Sequence, residues 1–166
     1  MHNTVKNLIY IEDFIKSRVN SNKLPKIIAV SKTFSIDKIL PLVEYGHIDY
    51  GENKVQEALD KWADLKLKNN NIKLHLIGRL QTNKVKLALR IFDYIHSLDS
   101  EKLANKIAYE QEKQDKKPQI FIQVNIGNED QKSGIHKDKL VNFYKFCKDL
   151  NLDIVGTMCI PPNDEN

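Results

Sequence analysis

Short apolar runs alternate with helix-like stretches along this chain of 166 residues. A leading amphipathic stretch at 4–20 precedes the first run. The apolar runs lie at 26–31, 47–50, 72–77, 92–96, 119–126 and 153–158. Such regular alternation predicts a parallel sheet with right-handed crossovers. Two α/β architectures fit this pattern, an open doubly wound sheet or part of a parallel (β/α)₈ barrel.

Both architectures predict the same place for a ligand, because ligands collect where the parallel strands end. The first strand is not followed by the Gly-x-Gly-x-x-Gly pattern, which disfavours a dinucleotide-binding domain. Two of the predicted helices begin close to the ends of these strands. Pro41 predicts a helix that begins near Leu40, with the proline in its first turn. Glu52 is predicted to open the next helix, where a carboxylate suits the positive end.

Composition and charge are ordinary for a globular protein, with 41% hydrophobic and 29% charged residues and a net charge of +4. The lysines are scattered and only three arginines occur, whereas dedicated nucleic-acid readers concentrate basic residues on one face. We therefore interpret the net positive charge as one that keeps the protein soluble, and we expect no specific nucleic-acid ligand. Weak nonspecific binding of nucleic acid stays an alternative.

The cysteine and membrane signals favour a cytoplasmic protein. Two cysteines give no disulfide framework, and Cys147 has the helical spacing of a small buried apolar residue. No Cys/His cluster has zinc spacing, so no metal site is expected. The first residues lack a signal-peptide pattern, and no apolar run is long enough to span a membrane.

Lys32 is the strongest candidate for chemistry because it follows the apolar run Lys26–Ser31 directly. An amine at the end of a buried parallel strand is expected to be partly desolvated, and desolvation weakens its hold on its proton. Such an amine can attack an aldehyde and form an imine. The alternative is a solvated lysine that merely ends a strand.

Polar residues recur at the ends of the other predicted strands. They are Glu52 and Asn53, His75 and Gly78, His96 and Ser97, Gln123 and Asn125, and finally Met158. Each has a structural alternative: a helix cap for Asn53 or Ser97, a satisfied core histidine for His75, core packing for Met158. The glycines could serve tight turns only. Buried amides such as Gln123 and Asn125 are harder to dismiss, because they need partners.

Taken together, these segments resemble the pyridoxal phosphate homeostasis protein family. The resemblance rests on the order and spacing of six motifs, at 29–33, 50–57, 75–84, 96–99, 123–126 and 132–134. It covers nearly the whole chain, from about Lys26 to Pro162. It implies a barrel like the barrel domain of alanine racemase, with Lys32 holding pyridoxal 5′-phosphate as an imine.

The resemblance also implies the rest of the pocket. Asn53, Ser97, Asn125 and Met158 are expected to line it around the cofactor ring, and Glu52 to orient neighbouring groups through a helix N-terminus. The family is thought to buffer the cofactor or deliver it to apo-enzymes that depend on it. A carrier without catalytic turnover is therefore expected.

Members of the family usually continue past the point where this sequence stops. We expect residues 1–166 to form one barrel domain with about six of eight strands, lacking the C-terminal part. In the family that part holds the cofactor's phosphate and approaches its pyridine nitrogen. An open sheet edge predicts instability, self-association or completion by another chain.

Three alternatives to a cofactor carrier stay open. One is a racemase-like enzyme, which needs a second acid/base group on the opposite face of the cofactor. Another is a nucleic-acid or protein interaction module that uses the lysine-rich surface. The last is an inert fragment whose phosphate site lies outside it.

Overall fold

The computed structural model describes residues 1–21, 23–127 and 133–161. Its helices are α1 (Asn3–Arg18), α2 (Ile36–Tyr45), α3 (Val55–Lys68), α4 (Val85–Ile91), α5 (Glu101–Gln114) and α6 (Leu140–Asp149). Its strands are β1 (Ala29–Val30), β2 (Asp49–Glu52), β3 (Lys73–Leu76), β4 (Tyr94–Leu98), β5 (Gln119–Asn125), β6 (Ile135–His136) and β7 (Asp153–Met158).

The seven strands form one sheet in which every recorded pairing is parallel. Strands β1 to β5 lie side by side in chain order, and β7 pairs with β5. The six predicted strands are all present. The two-residue β6, which also pairs with β5, was not predicted because it is too short to show an alternating pattern.

Helices α2 to α6 pack their apolar residues against one face of this sheet, which we call the outer face. Tyr50 of β2 and Trp62 of α3 are both fully buried there, with ring centroids 4.6 Å apart. The same apolar cluster continues through Leu74, Ile95 and Ile120 of the next strands. Successive side chains of a strand point to opposite faces, so the residues between these core residues lie on the opposite face, which we call the inner face. Burial of the core residues therefore determines which strand residues face the inner side.

The predicted start of α2 was wrong. The helix begins at Ile36, one turn earlier, and carries Pro41 in its interior. Proline removes one backbone N–H from the helical ladder, which costs free energy. Here Ile39 is buried and Ile36 and Val43 pack against the core, so burial of the apolar stripe outweighs the lost hydrogen bond.

The predicted place of Glu52 was also wrong. It ends β2, and α3 begins three residues later, so the carboxylate does not lie in the first turn of a helix. Glu52 is fully buried on the outer face. Its Oε1 accepts hydrogen bonds from Ser31 Oγ at 2.7 Å and from Lys61 Nζ and Trp62 Nε1 at 2.9 Å. These donors make the strand position tolerable for a buried charge.

None of the helices in the described residues is long and apolar enough to cross a bilayer. No group of three or more histidine, cysteine, aspartate or glutamate side chains there is arranged to hold a metal ion.

Candidate functional site

The five predicted site residues all lie at the carboxyl ends of parallel strands. Lys32 is two residues past β1, Asn53 directly follows β2, Ser97 is next to last in β4, and Asn125 and Met158 end β5 and β7. Parallel strands bring their carboxyl ends to one edge of the sheet. The structure therefore places all five residues at the edge of the sheet where the sequence predicts a ligand site.

Lys32 and Asn53 directly follow two residues of the outer face. Their neighbours Ser31 and Glu52 are buried on the outer face, where Ser31 Oγ donates to Glu52. The strand alternation, extended past Ser31 and Glu52, predicts that Lys32 and Asn53 face away from the helices. Val30, two residues before Lys32, is 47% exposed on the same inner side.

The expectation of a partly desolvated amine was wrong. Lys32 is exposed. The reason is topological, since β1 is an end strand of the sheet and pairs only with β2 among the described strands. The amine is thus reachable by a ligand at the strand ends.

Gly78, at the end of the third strand unit, fixes the position of Asn53. A Cβ on Gly78 would lie 2.8 Å from Asn53 Cα and would also overlap the Asn53 carbonyl group. The φ of Gly78 is not in the left-handed region, so the backbone conformation does not require glycine here. Glycine is required because the two backbones approach each other too closely for a side chain.

A β-bulge turns Ser97 toward the inner face. Ile95 pairs with Ile120 and Leu98 with Ile122, so two residues of β4 oppose the single residue Phe121. A bulge of this kind redirects a side chain and is common beside functional sites. Ser97 is only 1% exposed, and its Oγ has no hydrogen-bond partner within the described ranges. A buried hydroxyl without a partner suits a polar ligand group.

Asn125 and Met158 share the inner face of the last strands. Gln123 pairs with Met158, and Asn125 is two residues beyond Gln123 on the same face. Gly134, with φ +132°, packs against this segment, where a Cβ would lie 2.7 Å from Asn125 N. Lys132, which belongs to the last family-like motif, lies outside the described residues.

A chain of buried polar side chains lies on the inner face nearer the amino ends of the strands. His75 Nε2 is 3.0 Å from Asp49 Oδ1, and His75 Nδ1 is 2.9 Å from His96 Nε2. Tyr94 stacks on His75 at 4.2 Å and Phe121 on His96 at 4.4 Å. The carboxylate accepts from His75 Nε2–H, which leaves His75 Nδ1 to accept from His96 Nε2–H.

Burial governs the charge of both histidines. It lowers the pKa of His75, against the opposing pull of Asp49. Burial, assisted by the neighbouring His75, lowers the pKa of His96 to about 4. His75 therefore behaves as the satisfied interior histidine that was the structural alternative for it. The sequence did not reveal the Asp49 partnership, because 26 residues separate the two side chains.

Comparison with known proteins identifies relatives over most of the chain. The model of the alanine racemase N-terminal domain matches residues 13–166. The pyridoxal phosphate homeostasis protein of Pasteurella multocida is 38% identical over 96% of this chain. That of Aquifex aeolicus is 38% identical over 85%. The chain spans 71% and 61% of the lengths of these two relatives.

Solved structures confirm the predicted barrel fold. PipY of Synechococcus elongatus without PLP is 29% identical, with a TM-score of 0.84 over 97% of this chain and 72% of PipY. The PLP-bound form of PipY has a TM-score of 0.79 over 92% of this chain and 69% of PipY. Alanine racemase of Clostridium difficile has a TM-score of 0.69. The match covers 96% of this chain and 42% of the racemase chain. At 16% identity it shows the fold alone.

Proposed function

Because this chain belongs to the pyridoxal phosphate homeostasis protein family, we propose that it binds pyridoxal 5′-phosphate at the carboxyl ends of its strands. The relatives are named pyridoxal phosphate homeostasis proteins. PipY, which has the same fold, has been solved with PLP bound. The observation that carries the proposal in this chain is the exposed Lys32 amine at the edge where Asn53, Ser97, Asn125 and Met158 also lie.

In the proposed complex Lys32 Nζ is joined to the aldehyde carbon of the cofactor. A carbon–nitrogen double bond forms, the carbonyl oxygen leaves as water, and the amine gives up both of its hydrogens to that water. The reaction is a condensation and needs no oxidant or reductant. The exposure of Lys32 supports it, because an amine sealed in the core could not meet the aldehyde.

The surrounding residues are assigned to the body of the cofactor. Ser97 Oγ, buried and without a protein partner in the described ranges, is assigned as a hydrogen-bonding group for it. Asn53 and Asn125 supply amide groups, and Met158 supplies a flexible apolar contact. The glycines support the site, since Gly78 packs against the Asn53 backbone and Gly134 against the Asn125 backbone.

We assign the protein a carrier role without turnover. The imine is reversible, so another amine can displace Lys32 and accept the cofactor, and a lysine of an apo-enzyme is such an amine. The proposed setting is the cytoplasm, where cysteines stay reduced. The free thiols of Cys147 and Cys159 are compatible with that compartment.

The test is a titration with pyridoxal phosphate followed by absorbance in the imine band. We expect the parent chain to develop the band with saturation and Lys32→Ala to show none. Lys145→Ala, which removes another exposed lysine from α6, is the matched control and should behave like the parent. Equal bands in the Lys32→Ala variant and the parent would rule out the assignment.

A further inference from the structure

Thr33, the residue directly after Lys32, has an unusual backbone conformation. Its φ is +66°, in the left-handed region. A β-branched residue is a true outlier there, because its Cβ crowds the backbone, whereas glycine adopts the same conformation freely. Such conformations persist only where the surroundings enforce them, and they cluster at functional sites.

The surroundings of Thr33 include a specific restraint. Its backbone N–H donates to Glu57 Oε1 at 2.9 Å, which ties the residue after Lys32 to the first turn of α3. Glu57 is separated from Thr33 by 24 residues, so this bond joins the loop after β1 to another element. That hydrogen bond is also the largest cause of the lowered pKa of Glu57, which stays charged at neutral pH.

Lys61 completes the restraint from the other side. One helical turn beyond Glu57, its Nζ lies 3.3 Å from Glu57 Oε1 and 2.9 Å from Glu52 Oε1. The same Nζ donates to the backbone carbonyl of Ser31 at 2.9 Å. The Lys61 side chain is only 10% exposed, so solvent screens these contacts little. The residues before and after Lys32 are thus both held by one charged cluster.

We propose that Glu57, supported by Lys61, is a positioning residue for Lys32. It holds Thr33 in the left-handed conformation, and this fixed turn directs the Lys32 side chain over the inner face of the sheet. The inference rests on the proposed function, because it concerns the same amine. Glu57 itself lies on the helix side and needs no contact with the cofactor.

The physical consequence is a faster condensation. A reacting group that is already in place avoids the loss of freedom that a mobile one must undergo when it reacts. Without the Glu57 carboxylate, Thr33 relaxes toward negative φ and the loop that carries Lys32 takes up several arrangements. We expect the rate constant for imine formation to fall about tenfold in Glu57→Ala.

Glycine at position 33 separates positioning from general stability. Thr33→Gly makes φ near +66° free of strain, so the turn can form without Glu57, although glycine also adopts negative φ. Thr33→Gly in the Glu57→Ala background should therefore recover part of the lost rate. Glu57→Gln keeps an oxygen that can accept the Thr33 N–H and should stay within about threefold of the parent. Glu112→Ala, an exposed glutamate on α5, is the control for loss of a carboxylate.

The experiment measures imine formation by stopped-flow absorbance for the parent and these variants, with thermal unfolding as a parallel readout. The inference is supported if Glu57→Ala slows condensation and Thr33→Gly restores part of the lost rate without restoring the melting temperature to the parent value. It is overturned if Glu57→Ala reacts as fast as the parent, or if Thr33→Gly gives no recovery. If Glu57→Ala does not fold, Glu57→Gln provides the test. A Glu57→Gln variant that folds and forms the imine about ten times more slowly than the parent also overturns the inference.

The proposed function and this inference fail in different ways. If the parent forms no adduct that depends on Lys32, the proposed function is wrong and the inference falls with it. If the parent forms the adduct and Glu57→Ala forms it at the same rate, only the positioning role is wrong.

Discussion

Gly78 and Asn53 meet backbone to backbone at the carboxyl edge of the sheet, and the space between them excludes even a methyl group. A Cβ on Gly78 would lie 2.8 Å from Asn53 Cα and 2.9 Å from its carbonyl carbon. The loop after β2 and the loop after β3 therefore hold each other in place. Asn53 owes its position in the candidate pocket to a glycine on a neighbouring strand unit.

Gly78→Ala is expected to destabilise the protein and weaken cofactor binding together. The new methyl group must push the Asn53 backbone away, at a cost of about 1–3 kcal/mol in the free energy of unfolding. Urea unfolding and a pyridoxal phosphate titration measure the two effects. Gly51→Ala is the comparison, because the atoms nearest to its Cβ would be side-chain atoms of Ile28 and Ile77, not backbone. A Gly51→Ala variant that costs more than Gly78→Ala would contradict this account.

Lys61→Met is expected to be among the most damaging single changes. It leaves the fully buried Glu52 carboxylate without its cationic partner, and an uncompensated buried charge costs about 3–5 kcal/mol. Glu52→Gln in the same background removes the charge and should recover part of the loss. Chemical denaturation of the two single variants and the double variant measures the coupling. Additive losses would show that the pair does not interact as described.

The two inner-face histidines predict a pH dependence of stability. The pKa of His96 is about 4 in the folded chain, against an ordinary value of 6.5. As pH falls from 6.5 toward 4, the unfolded chain takes up a proton that folded His96 does not. The free energy of unfolding therefore decreases through that window, by up to about 3 kcal/mol for this group. The lowered pKa of His75, next to Asp49, acts in the same direction.

Unfolding free energies of the parent and His96→Gln between pH 4 and 7 test this dependence. Because glutamine does not titrate, the variant should show a shallower decrease at low pH than the parent. The slope is the diagnostic quantity, since the substitution also removes packing against Phe121. Parallel slopes for the two proteins would contradict the assignment.

The two thiols should react very differently. Cys147 is fully buried, and burial raises the pKa of its thiol to about 11, while Cys159 is exposed. A neutral-pH alkylating reagent should label one thiol per folded chain and two in denaturant. Peptide mapping identifies the labelled residue. Labelling of Cys147 before unfolding would show that α6 does not pack as described.

Periodicity predicted the strands well because each strand buries alternate residues against the helices. β5 is the clearest case, with Ile120, Ile122 and Val124 buried and the residues between them partly exposed. This alternation, read together with the strand ends, also placed the five predicted site residues at one edge of the sheet. The prediction that Cys147 is buried follows from the same periodicity and is confirmed.

The errors occurred where distant contacts outweigh local preference. Pro41 predicted a later helix start, yet the buried Ile39 keeps α2 intact around it. Glu52 looked like a residue of a helix first turn, but Lys61, nine positions later, makes its burial in β2 tolerable. The Thr33 restraint and the contact of Gly78 with Asn53 are tertiary relationships that a linear pattern does not encode.

The most direct measurement of the central claim is to locate the cofactor covalently. The parent chain is mixed with pyridoxal phosphate, reduced with borohydride, digested and mapped by mass spectrometry. The account predicts one dominant modified residue, Lys32, and loss of that label in Lys32→Ala while Lys145→Ala keeps it. A label spread evenly over exposed lysines, or equal labelling of Lys32→Ala and the parent, would contradict it.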